Sequence, residues 1–286
     1  MIKHKLTPTE KDLGGLTVRR LFPVVGYKNV GPFVFFDHFG PVDFAPGEGM
    51  DVRPHPHIGL ATVTYLFDGE ILHRDSLGMV QAIKPGEINL MLAGRGIVHS
   101  ERTAPEIRAT GQKSHGLQLW LALPEKDEDC DPAFYHYDAA EIPSISENGC
   151  QIKLLIGEAR GLRSPVITLC PTLYLECQLD AGANLVLPEG VDELGIFVIS
   201  GQINMGEETV NRHQLAILDS GQLEPLVASE QSHVVVIGGE AQGKRHIYWN
   251  FVSTSRDKIE QAKRDWQQGK FSAVPGETEF IPLPES

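Results

Sequence analysis

The residues best equipped for chemistry are His55 and His57, separated by Pro56, and His99 and Glu101, separated by Ser100. Successive side chains of a strand point to opposite faces, so each pair shares one face of an extended segment. Two such pairs converging in a barrel would offer three imidazoles and one carboxylate to a single ion. Neutral imidazole suits Fe, Ni, Cu and Zn, and a carboxylate adds charge and hardness, so the set fits a divalent transition metal. Four ligands of an octahedral ion leave two positions free for dioxygen chemistry or for bidentate chelation of a substrate. A structural zinc site would instead be closed and usually rich in thiolate. A lone His-x-His is more often a pair of hydrogen-bonded strand histidines than a metal site. The two pairs together, with a Gly86 turn between them in a strand-rich context, carry the metal reading.

The elements that must position these residues are strands. Glycine (29) and proline (19) are spread along the chain and punctuate short apolar or alternating runs. Strands are expected over 17–22, 33–36, 61–67, 88–92 and 116–123, each rich in β-branched, aromatic or large apolar residues. The signal resumes over 152–156, 172–179, 195–200, 215–218 and 233–237. Thr64 to Ile71 resembles Ile196 to Ile203, each an apolar strand closed by a polar residue and Gly, a hairpin signal. Two copies of one β-barrel unit account for the length, and the acidic run 125–132 is the expected linker. The cut then falls between 1–134, a metal-binding barrel, and 135–286, a barrel without metal ligands. One helix is expected over 257–268, with Ile259, Ala262 and Trp266 on one face, Thr254 or Ser255 as cap and Gly269 as stop.

Composition narrows the function classes. Twenty-five basic against 38 acidic residues give a formal net charge of −13, which disfavours direct binding to nucleic acid or to anionic lipid. The four cysteines contain no CxxC pair and are too few for a disulfide framework. No apolar run approaches the roughly 20 residues that span a bilayer, and the N-terminus lacks the apolar core of a signal peptide, so a cytoplasmic protein is expected. Nucleophile elbow, phosphate-cradling loop and basic aromatic stripe are all missing from the sequence, and Gly94-Arg95-Gly96 is too short for a dinucleotide fingerprint.

The chain resembles the pirin family of the cupin superfamily. The resemblance runs through Phe35-Phe36-Asp37-His38-Phe39, His55-Pro56-His57-Ile58-Gly59, Thr62 to Leu66, Met91 to Glu101 and His115 to Trp120. It continues through Gly157-Glu158-Ala159 and Pro171 to Leu175. It implies an all-β bicupin, two jelly-roll-like cupin barrels with a short C-terminal helix and one metal in the N-terminal barrel. Carried over residue by residue, the ligands fall on His55, His57, His99 and Glu101. Ala61 and Thr62 stand where many cupins place a further carboxylate after the second His, which sharpens the case for Glu101. His213, His233 and His246 are scattered, so the second barrel is expected to hold no metal.

The metal that the resemblance implies is Fe(II), with Ni, Cu, Zn, Mn and Co as alternatives. The activity implied is that of a quercetin 2,3-dioxygenase, with a flavonol-like aromatic substrate and dioxygen as small-molecule partners and Glu101 as ligand and proton acceptor. The alternative is a non-enzymatic iron-containing regulatory protein that binds a transcription factor or metabolic enzyme in a redox-dependent way. His38, His73 and His115 are candidate orienting partners for ligands, with ordinary hydrogen-bonded histidines as the blander reading. Arg95 is expected to hold a turn or a carboxylate, or to face an anionic substrate. Phe33, Phe35, Phe36 and Phe39 are expected as core and pocket wall. Cys130 and Cys150 pair only if the fold brings them together.

Overall fold

The structure, a computed structural model, describes residues 1–12 and 16–284. Its regular structure is mostly antiparallel strands, with a six-residue helix Pro105–Thr110 and the expected C-terminal helix, Arg256–Gln267. Each of the ten expected strands corresponds to an observed one, among 26 in the described residues, and 17–22, 88–92, 172–179 and 215–218 have the expected bounds. Others extend further, as in Phe33–Phe44 and Gln112–Ala122. No helix among the described residues is long and apolar enough to cross a membrane.

Two compact units result, and neither is contiguous in sequence. One consists of Met1–Thr9, Leu21–Phe35 and Ala140–Ala241; the other of Glu10–Arg20, Phe36–Ala139 and Gln242–Ser286. The C-terminal segment therefore belongs with the strands that carry His55, His57 and His99, not with the strands that precede it. Its helix buries Ile259 and Ala262 against Ile58 and Phe251, with Trp266 and Phe271 alongside. This is the apolar face that the spacing of those residues defines.

The described strands form two seven-stranded and two four-stranded sheets, with two further two-stranded pairs. In the first half the large sheet runs in the order Ala133–Tyr137, Ile88–Leu92, Leu60–Asp68, Gln112–Ala122, Phe33–Phe44, Thr17–Phe22 and Thr9–Asp12. Its small sheet runs Asp51–His57, Ile97–Arg102, Ile71–Asp75, Val80–Ile83. In the second half the small sheet runs Asn184–Leu185, Leu226–Ala228, Gln202–Met205, Glu208–Asn211, the same order of equivalent strands. The hairpin repeat is real: Leu60–Asp68 turns into Ile71–Asp75 at Gly69, and Glu193–Ser200 turns into Gln202–Met205 at Gly201. Both glycines have positive φ (88° and 79°). A Cβ at Gly69 would sit 2.5 Å from the Lys113 carbonyl, and one at Gly201 would sit 2.3 Å from Ser232 Oγ. Only glycine fits these turns without a shift.

Two local expectations are corrected. The acidic run is not a uniformly solvated linker: Glu128 is buried, accepts bonds from Ser253 Oγ and the Thr254 N–H at 2.8 Å each, and faces Arg245 at 3.4 Å. A buried carboxylate is tolerable there because donors surround it. The C-terminal helix is also not capped by a hydroxyl. Ser255 occupies the N-cap position without a side-chain cap bond, and Glu128 holds the segment just before it. Gly269, at φ 65°, ends the helix as expected.

Candidate metal centre

His55 and His57 lie on an edge strand of the small sheet, and the strand carrying His99 pairs with it so that His99 sits opposite His55. At the sheet edge Pro54 and Pro56 forfeit few ladder bonds, which is why a proline-rich strand is tolerated here. Pro56 is nevertheless buried rather than turned to solvent. The pairing brings together one ring nitrogen from each of His55, His57 and His99, all within 4.8 Å of one another. His57 Nε2 and His99 Nε2 are 3.1 Å apart.

The donor chemistry fits a metal ion. All three imidazoles are buried, at 7, 1 and 1% exposure. Burial lowers their pKa values, His55 to about 4 and the other two well below the ordinary range, and the neighbouring imidazoles reinforce the effect in His57 and His99. They are therefore neutral at pH 7, the state a ligand requires. His55 Nδ1 donates to the Arg53 carbonyl at 2.8 Å, which leaves its Nε2 bare. Neutral buried nitrogens facing each other at close range are poorly satisfied without a shared cation.

Glu101 stands outside that group of mutually close ligand atoms. A register shift between His99 and Glu101 offsets the two residues, and Glu101 then pairs with Val52 on one side and His73 on the other. Thr64 Oγ1 lies 3.4 Å from its Oε1 and 2.9 Å from Gln118 Oε1. Burial raises the Glu101 pKa, opposed by His73 and by the Thr64 hydroxyl.

The remaining histidines sort into distinct roles. His73 touches His99, with Nδ1 atoms 3.4 Å apart, and its Nε2 is 3.0 Å from Asp75 Oδ2. His38 and His115 bond each other through Nε2 atoms at 2.9 Å. Arg95 pairs with Asp131 on the surface, Phe33, Phe35, Phe36 and Phe39 are buried, and all four cysteines are free thiols. Sequence reasoning missed Asp75, although its signal was present: His73-x-Asp75 has the same alternate spacing as the ligand pairs. It also missed Glu87, His136 and Asp138, whose ligand atoms lie within 4.8 Å of one another. His136 there bonds Asn89 Oδ1 at 2.7 Å and Asp138 is 71% exposed, which describes a solvated surface contact rather than a second centre.

Comparison with known proteins agrees with this architecture. The family profile described as Pirin matches residues 15–121, and that of the Pirin C-terminal cupin domain matches residues 174–272. A pirin-like protein of Caulobacter vibrioides is 44% identical, with all of both chains covered. Human pirin is 34% identical over 90% of this chain and 88% of its own length. A crystal structure of quercetin 2,3-dioxygenase from Acinetobacter baumannii superposes with a TM-score of 0.91 at 31% identity, covering 99% of this chain and 95% of that one. With two barrels, a buried histidine cluster in the first and relatives matched along its whole length, the chain belongs to the pirin family.

Proposed function

We propose that the protein is a metal-dependent dioxygenase of the quercetin 2,3-dioxygenase type, acting on flavonol-like aromatic substrates, with Fe(II) as its metal. The observation that carries the reading is the trio of neutral, buried imidazoles from two paired strands, all presenting ligand atoms within 4.8 Å. A solved structure named for this activity, at 31% identity, supports the choice of reaction. When bound, the metal would supply Lewis acidity toward the hydroxyl and carbonyl oxygens of the substrate and one-electron chemistry toward dioxygen.

The chain's own residues do the rest. His55, His57 and His99 hold the ion, and Glu101 is the fourth ligand and the proton acceptor for the substrate hydroxyl. Burial favours the protonated form of Glu101 in the metal-free chain, and a bound cation would favour the carboxylate that accepts the proton. The Thr64 hydroxyl favours the ionised form of that carboxylate. Aerobic turnover of quercetin by metal-loaded protein tests the reading, with metal content measured in every sample. Turnover is expected in the wild type and lost in His99→Ala and Glu101→Ala. Loaded wild type that leaves a panel of flavonols and catechols untouched would sink the enzyme reading.

Burial of the three histidines also suits a second reading, an ion shielded from substrates in a regulatory protein that responds to redox state. A one-unit change of charge at a buried site biases nearby structure. Capture of the same proteins by the ferrous and ferric forms would count against it.

A further inference from the structure

We propose that Asp75 and His73 form a tautomer lock that turns the Nε2 lone pair of His99 toward the metal position, which makes Asp75 a positioning residue for metal retention. The inference rests on the reading above that His55, His57 and His99 hold a divalent metal. Asp75 is fully buried, and its Oδ1 accepts the backbone N–H groups of Leu77 at 2.8 Å and Met79 at 3.1 Å. Its Oδ2 lies 3.0 Å from Nε2 of His73. A carboxylate only accepts, so His73 carries a proton on Nε2, and with that single proton on the ring its Nδ1 is bare.

That Nδ1 lies 3.4 Å from Nδ1 of His99. Two lone pairs facing each other in a buried site repel, so His99 carries its proton on Nδ1 and keeps Nε2 bare. The bare nitrogen is the one that faces His57 Nε2 at 3.1 Å. Strand register holds the chain in line, with Asp75 opposite His99 and His73 opposite Glu101. Phe134 stacks on the His73 ring at 4.4 Å between centroids. His55 reaches the same tautomer through a backbone carbonyl, so the side-chain route is peculiar to His99. No change in the number of protons is involved, only which nitrogen carries one.

Asp75→Asn should invert the chain. The two backbone donors hold the amide oxygen, so the amide NH2 faces His73 Nε2, which must then accept. His73 carries its proton on Nδ1 and donates it to His99, whose own proton moves to Nε2, on the metal side. His73→Phe keeps the stack on Phe134 but leaves His99 free to choose, so it should cost less. A purely structural role would lower thermal stability in both variants and alter neither tautomer nor the order of affinities.

The test has two readouts on the full chain. Long-range proton–nitrogen NMR of metal-free protein with 15N-labelled histidine reports the His99 tautomer, and titration with Ni2+ against a competing chelator reports affinity. The wild type is expected to carry the proton on Nδ1, Asp75→Asn on Nε2, with Ni2+ binding weakened about 10–100-fold as for other second-layer partners. Wild-type His99 protonated on Nε2 overturns the proposal whether or not the variant folds. So does a folded Asp75→Asn that binds Ni2+ like the wild type. Wild-type protein that shows the Nδ1 tautomer but binds no Ni2+ overturns the metal reading and leaves the lock standing.

Discussion

The two small sheets run through equivalent strands in the same order and fill their interiors with opposite chemistry. In the first, Asp51–His57, Ile97–Arg102 and Ile71–Asp75 contribute His55, His99 and Asp75 at one level of the ladder. In the second, the strands at the same places set Leu185 opposite Leu226 and Leu226 opposite Met205. These leucines and Met205 join a large apolar cluster with Ile203, Val210 and Ala228. Burial is the same in both; what changes is whether the buried groups have a use that outweighs the cost of removing them from water. One barrel is closed by hydrophobic packing. The other keeps polar groups at its centre and depends on hydrogen bonds, and under the proposal on a metal, to satisfy them.

Replacing His57 by Ala should have the largest effect on this contrast. Loss of one of three buried imidazoles should weaken metal binding by more than the 10–100-fold typical of an outer partner. Metal analysis after dialysis checks it, and retention of stoichiometric metal would break the assignment of the site. Leu226→Ala probes the other barrel: a leucine of the packed cluster should cost about 2–5 kcal/mol without changing metal content. Chemical denaturation together with metal analysis separates the two outcomes.

Acid should also distinguish the barrels. The His55 pKa falls from 6.5 to about 4 in the folded, metal-free protein. The unfolded chain then binds a proton that the folded one refuses between those values, so stability present above pH 6.5 is lost as pH falls toward 4. At pH 5 the loss from His55 comes to about 2 kcal/mol, at 1.36 kcal/mol per unit. Urea midpoints at pH 7 and pH 5 measure it, and His55→Phe should flatten the dependence. An unchanged slope in that variant would place the acid sensitivity elsewhere.

Much of this was legible in the chain because it depends on local pattern. Alternation gave the strands, the Asp68-Gly69 and Ser200-Gly201 turns gave the repeat, and two-residue spacing put His55 with His57. What stayed hidden depends on which strands become neighbours. The pairing of Asp75 with His99 requires the register of Ile71–Asp75 against Ile97–Arg102, and the offset of Glu101 requires an irregularity between His99 and Glu101. Glu128 looked like part of a solvated acidic run because its donors, Ser253 and Thr254, lie far along the chain. For the same reason the spacing of Ile259 and Ala262 identified a helix but not the surface it covers.

Glu128 marks a second difference between the units, since the C-terminal helix belongs to the histidine-bearing one. Its carboxylate joins the 125–132 segment to the start of that helix through Ser253, Thr254 and Arg245. Glu128→Gln keeps an acceptor of similar shape but removes the charge that Arg245 faces, so the expected cost is about 1–2 kcal/mol. Hydrogen exchange resolves where that cost falls. Protection should drop in Leu60–Asp68 and around Phe251, which belong to the helix-bearing unit, while Thr172–Leu179 in the other keeps its protection. An equal drop in both would mean that the two units unfold as one, and the buried carboxylate would then support the whole chain rather than the histidine-bearing barrel alone.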